Sequence, residues 1–120
     1  MMERIRFINH QQKRILYVDL SDTTPQEASS IFEQARKIVA QQPKQSVRTL
    51  ANTHNAQFNS DTRQTILDVA KHNKPYVIAS AIIGLAGLQK IILNGLIMVT
   101  KRKFMVCETM TEAKDWLAQQ

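Results

Sequence analysis

The sequence predicts an α/β fold built on one mixed, mostly parallel sheet of about five strands, and three observations predict it. First, strand-length apolar runs alternate with helix-period segments in the order β-β-α-β-α-β-α-β-α. Such alternation implies parallel pairing with right-handed crossovers. Second, the runs Arg14–Leu20 and Tyr76–Ile83 are apolar on both faces, which suits strands covered on both sides. Third, glycine or helix-capping residues stand where each helical segment should begin. The 120 residues suit a single domain spanning 1–120, large enough for one core without disulfides or metals.

The elements follow in order. Arg4–Ile8 and Arg14–Leu20 are β-rich, and the polar stretch from Asn9 to Lys13 between them predicts a hairpin with a longer loop. In the second run Ile15 and Tyr17 face one side, and Leu16, Val18 and Leu20 the other. In Thr24-Pro25-Gln26-Glu27, Thr24 is placed as an N-cap, Pro25 fits the first turn, and Glu27 closes a capping box. Ala28, Ile31, Phe32, Ala35, Ile38 and Val39 then recur at helical spacing, and Pro43 ends the segment. Val47–Asn52 is a short strand, and the stretch from Thr53 to Asn59 a loop. Ser60, Asp61 and Thr62 offer capping oxygens to a second helix carried by Ile66, Leu67, Val69 and Ala70, with Ser60 expected as the cap. Asn73 and Pro75 stop it.

The most apolar stretch, 76–100, raises the question of a membrane span. Its uninterrupted part runs only from Tyr76 to Leu88, whereas a span needs about 20 apolar residues. Gly84 and Gly87 divide it into a strand, Tyr76–Ile83, and a helix. The helix is expected to turn Leu88, Ile91, Ile92, Leu96 and Val99 inward, with Gly95 allowing close approach to the sheet. Leu93 and Ile97 then point outward beside Lys90, Asn94 and Lys101, as an exposed patch for a partner or a second copy. Phe104–Cys107 is the last strand. Thr109 and Glu112 are spaced as a capping box, and Met110, Ala113, Trp116 and Leu117 form the inner face of the final helix.

These residues carry a resemblance. The segments Ile15-Leu16-Tyr17-Val18-Asp19, Asn73-Lys74-Pro75-Tyr76-Val77, Gly84-Leu85-Ala86-Gly87-Leu88-Gln89-Lys90, Arg102-Lys103-Phe104 and Glu112-Ala113-Lys114-Asp115-Trp116-Leu117 are similar to small bacterial proteins of the SpoIIAA-like branch of the STAS superfamily, the anti-sigma-factor antagonists. The likeness spans nearly the whole chain. It implies a sheet with helices wound as a βα superhelix, and a non-enzymatic regulatory or protein-interaction module. It also implies a phosphorylated Ser at the start of the second main helix, within a pattern like Asp-Ser-Ser-Gly. The matching stretch is Phe58-Asn59-Ser60-Asp61-Thr62, in which Ser60 is the counterpart, Asn59 replaces the Asp, and Asp61-Thr62 replaces Ser-Gly. A phosphate at a helix N-terminus is favoured electrostatically, but Asp61 opposes it. Grouping of this branch with lipid-transfer domains implies a competing role, a small-ligand or lipid-binding protein with an apolar pocket near 76–100.

The expected partner surface is therefore His54, Asn55, Phe58, Asn59, Ser60 and Asp61 around the second helix start, with Leu93 and Ile97 on the third helix; Ser60 is the phosphorylation candidate. A protein partner of unspecified identity is expected, with a homodimer through Leu93 and Ile97 as one form of it. No catalytic, metal or cofactor residues are expected. His10, His54 and His72 do not stand at metal-ligand spacing, Cys107 is alone, and Gly84 and Gly87 do not make a dinucleotide fingerprint. Asp19 ends a central strand, where it is expected to bind neighbouring backbone. The net charge of +6 is scattered apart from Lys101-Arg102-Lys103, and no aromatics interleave with it, so a solvated basic surface is expected rather than nucleic-acid binding. Glu3, Arg4 and Arg6 interrupt any signal-peptide core, and the lone thiol suits a reducing compartment, so the expected location is cytoplasmic.

Overall fold

A tight hairpin opens the chain: β1 (Ile5–His10) pairs antiparallel with β2 (Lys13–Asp19). The computed structural model describes residues 3–120, the side chain of Leu88 excepted. The hairpin connection is only Gln11-Gln12, not the longer loop expected from its polarity. Both residues take positive φ, 51° and 67°, as two-residue turns matching strand twist require. Gln carries no turn signal, so the sequence conceals this connection.

The chain continues through α1 (Pro25–Val39), β3 (Val47–Asn52), α2 (Ser60–Asn73), β4 (Val77–Ile83), α3 (Leu88–Thr100), β5 (Phe104–Cys107) and α4 (Met110–Ala118). The sheet order is β1-β2-β3-β4-β5, parallel from β2 onward. A sheet that grows in one direction through right-handed crossovers places every crossover helix on one face. Accordingly Leu16, Val18 and Leu20 pack with Ala28, Ile31, Ala35 and Val39 of α1. On the opposite face Ile15, Tyr17, Leu50, Ala79, Ala81 and Ile83 pack with Ala113 and Leu117 of α4. This is the architecture the alternation predicted, with both faces of β2 and β4 covered.

Capping follows local chemistry. Thr24 caps α1: its Oγ1 accepts from Glu27 N (3.2 Å), and Thr24 N donates to Glu27 Oε1 (2.9 Å). Hydrogen bonds from the Thr24 backbone and then its side chain hold the Glu27 carboxyl below the usual range. Thr109 Oγ1 accepts from Glu112 N (3.1 Å), without the reciprocal bond of a full box. Asp19 holds its own turn, its Oδ1 accepting from Ser21 N (2.9 Å) and Ser21 Oγ (2.6 Å).

At α2 the expected cap moves by one residue. Asn59, not Ser60, is the N-cap: its Oδ1 accepts from Thr62 N (2.9 Å), and Asn59 N donates to Thr62 Oγ1 (3.3 Å). Thr62 is buried where a cap oxygen can meet its amide, whereas Ser60 is exposed in the first turn.

The predicted orientation of α3 is corrected. Leu93 and Leu96 are buried, Ile92 is half-buried, and Thr100 closes the same stripe. Leu93 therefore does not point outward. Ile91, Met98 and Val99 are 67%, 79% and 55% exposed, and Ile97 is exposed as expected. Gly95 faces outward, and a Cβ there would meet nothing within 4 Å. The expected role of Leu88 lies outside the described side chains. A helix apolar nearly all round has no unique inner stripe. Contact with Ile66 and Ala70 of α2 and with Phe104 selected Leu96 and Ile92 instead.

Two glycines make the β4–α3 turn, as the sequence predicted. Gly84 (φ 77°) lies so close to His54 that a Cβ would sit 2.6 Å from its backbone nitrogen. Gly87 (φ 56°) precedes α3 without a side-chain cap. No helix among the described residues is long and apolar enough to cross a membrane.

Candidate functional site

Between the crossover face of the sheet and α1, α2 and α3 lies a cavity of about 120 Å³. The sheet supplies Ala51 and Ile82, α1 supplies Phe32 and Ala35, α2 supplies Ile66 and Ala70, and α3 supplies Leu93 and Leu96. Most of the wall is made by strands and helices, and loop residues complete it. Phe58 enters from the β3–α2 loop and meets Phe32 with ring centroids 6.2 Å apart. Leu85, after the Gly84 turn, completes the wall near the start of α3.

Polar groups in the wall are few and mostly hydrogen-bonded within the protein. Thr49 Oγ1 and Ser80 Oγ share a hydrogen bond of 2.5 Å. Thr53 Oγ1 donates to Ile83 O (2.9 Å), and Gln89 Nε2 donates to Ala56 O (2.6 Å). The Gln89 bond also ties the first turn of α3 to the β3–α2 loop. Asn73 Oδ1 lies 3.0 Å from His72 Nδ1.

Arg102 is different. It follows the left-handed Lys101 (φ 55°) that ends α3, and it leads into β5. Its Nη2 donates to Ser80 Oγ (2.8 Å) and its Nη1 to Ala70 O (3.3 Å). The guanidinium carbon stands 4.8 Å from the centroid of the Phe104 ring. Among the described residues no carboxylate forms an ion pair with it. Removal from water costs a cation solvation, and burial pulls the Arg102 pKa down to about 10. The sequence hid this residue inside Lys101-Arg102-Lys103, read as one solvated run. Lys101 and Lys103 are exposed, but Arg102 shares the strand parity of Phe104, and that two-residue period was the available signal.

The predicted surface residues separate. His54, Asn55, Asn59, Ser60 and Asp61 are exposed around the β3–α2 loop and the start of α2. His54 N donates to Asn52 Oδ1 (3.1 Å), and Asn55 Nδ2 donates to Asp22 Oδ1 (2.8 Å). Both bonds shape the loop. Phe58 and Leu93 instead both line the cavity, and Ile97 stays on the outer side of α3. His10 lies far from this loop in sequence and bonds Asp115 Oδ1 at 2.7 Å. No three His, Cys, Asp or Glu among the described residues gather where they could hold a metal. Cys107 is a buried free thiol, its pKa raised by burial and by Glu112.

No family model and no curated protein matches the sequence. Solved structures do match the fold. A protein of the DUF3478 family from Shewanella loihica PV-4, described as uncharacterised with a SpoIIAA-like fold, superposes with a TM-score of 0.73 at 17% identity, over 94% of this chain and 91% of that one. An anti-sigma-factor antagonist (STAS) domain protein from Planctomyces limnophilus superposes with a TM-score of 0.64 at 15% identity, over 95% and 97%. The superpositions extend over nearly the full length of both neighbours, and the chain has the SpoIIAA-like fold found in STAS domains.

Proposed function

We propose that this domain is a non-enzymatic binding module that holds a small apolar ligand between the sheet and α1–α3. The observation that carries the reading is the cavity of about 120 Å³, walled by Phe32, Phe58, Ile66, Leu93 and Leu96. Close-packed interiors leave few voids larger than a water molecule. An engineered apolar cavity of roughly 150 Å³ stays dry and takes up benzene, so a space of this order suits a ligand part of similar size. A lipid would enter by one chain end.

The test is native mass spectrometry of the purified chain, followed by titration with benzene or 1-octanol monitored by thermal unfolding. Saturable binding that raises Tm, and that Ala35→Leu removes by filling the space, supports the reading. A chain that binds neither and whose Ala35→Leu variant is destabilised by overpacking refutes it.

A second reading has its own observation. Ile91, Ile97, Met98 and Val99 of α3, and Met105 and Val106 of the edge strand β5, are exposed large apolar side chains. Exposed apolars along one helix mark a contact site, and an edge strand leaves backbone groups free to pair. We assign the outer face of α3 to a protein partner or a second copy, in keeping with the description of the fold neighbour as an anti-sigma-factor antagonist. Light scattering of wild type against an Ile97→Lys, Met98→Lys double variant reads self-association. A mass above the monomer that falls in the variant supports a dimer, and a monomer in both removes it. Phosphorylation at Ser60 belongs to the same interaction reading, because its exposed position on the first turn of α2 leaves it accessible to a kinase. A partner captured equally by wild type and Ser60→Asp would remove that control.

A further inference from the structure

The cavity has one cation in its wall and a nearly complete internal use of its other polar atoms. Thr49 bonds Ser80, Thr53 bonds Ile83 O, and Gln89 bonds Ala56 O and accepts from Ala86 N. An arginine carries five N–H donors in a planar fork. Arg102 uses two of them, toward Ser80 Oγ and Ala70 O. Three remain, on a guanidinium held in place by the Phe104 ring, Ser80 and the end of α2. Arg102 is half-buried; a charge partly drawn from water without a counter-charge is costly, and an anion placed beside it recovers part of that cost. Fork geometry also matches the two oxygens of a carboxylate.

Resting on the apolar-ligand reading above, we infer that the cavity's ligand is an organic monoanion, an apolar chain of roughly six to eight carbons whose terminal carboxylate pairs with Arg102. The chain lies among Phe32, Phe58, Leu93 and Leu96, and the head meets the unused donors at the end of α3. Arg102 then acts as the specificity residue, separating acids from neutral amphiphiles of equal length.

The experiment is isothermal titration of the full chain with octanoate and with 1-octanol at low ionic strength, in wild type and Arg102→Gln. Wild type is expected to bind octanoate about tenfold more tightly than octanol, the scale of a hydrogen-bonded charge pair. Arg102→Gln should abolish that preference while leaving octanol binding in place. Equal binding of acid and alcohol by wild type, or a preference that survives Arg102→Gln, overturns the inference and leaves the apolar-ligand reading standing. Failure of both compounds to bind wild type overturns both. Where Arg102→Gln does not fold, the Nε–H resonance of Arg102 in wild type serves instead. It should move on adding octanoate but not octanol, and an unmoved resonance refutes the pairing.

Discussion

The two faces of the sheet are built differently. One is sealed by α4 alone, with Ile15, Leu50, Ala81, Ala113 and Leu117 excluded from solvent. The other carries three helices and still leaves a cavity of about 120 Å³. The difference lies in α3. Thr109 caps α4, and capping boxes hold α1 and α2, whereas α3 starts at Gly87 with no side-chain cap and no acidic residue in its first turn. Its outer side is apolar, so burial distinguishes its faces weakly. More helices on a face therefore do not give tighter packing; what matters is whether each helix has a single apolar stripe and fixed ends.

Four measurements can break or sharpen this contrast. The largest effect belongs to core truncation on the two faces, read by urea unfolding. Leu117→Ala should cost about 3 kcal/mol, since its site is packed on all sides, and Leu93→Ala about 2 kcal/mol, since its side chain already borders a void. Equal or reversed costs would mean that the α3 face is as well packed as the α4 face. Next is native-state hydrogen exchange. Amides in the middle of α3 should exchange at least about tenfold faster than those of α4, because local opening follows packing and capping. Equal protection would show that α3 opens only with the whole domain.

Capping of α2 gives a smaller effect. Asn59→Ala should lower stability by about 1 kcal/mol, and Ser60→Ala by no more than about 0.5 kcal/mol. The reverse order would return the cap to Ser60. Smallest is cavity filling: Ala35→Leu should raise stability by about 0.5 kcal/mol, the lower end for such changes, and a loss instead would mean the space cannot take a branched side chain.

Much of this molecule was legible in its residues. The alternation of strands and helices, the bounds of β3, the Thr24–Glu27 capping box and the double-sided burial of β2 follow from local rules that these segments obey. The exceptions share a cause. Gln11-Gln12 turns tightly because strand twist imposes positive φ on residues with no preference for it. Leu93 lies inside because packing of Leu96 and Ile92 against α2 and Phe104, not the helix's own period, selects the buried side of α3. Arg102 is drawn into the cavity wall although Lys101 and Lys103 stay exposed, because Ser80 on β4 and Ala70 on α2 offer its guanidinium acceptors there. The candidate site was thus only half visible: 76–100 was marked as pocket-forming, and Phe58 was marked for a different purpose.

The sequence by itself determined the order, type and two-sided burial of the elements, since hydrophobic period and cap chemistry act within a few residues along the chain. The tertiary structure alone decided which side of α3 faces inward, that a cavity remains beneath it, and that one arginine of a basic run lines that cavity without a carboxylate partner among the described residues. Those outcomes depend on contacts between segments distant in sequence, where shape and excluded water set the energy and no local pattern records them.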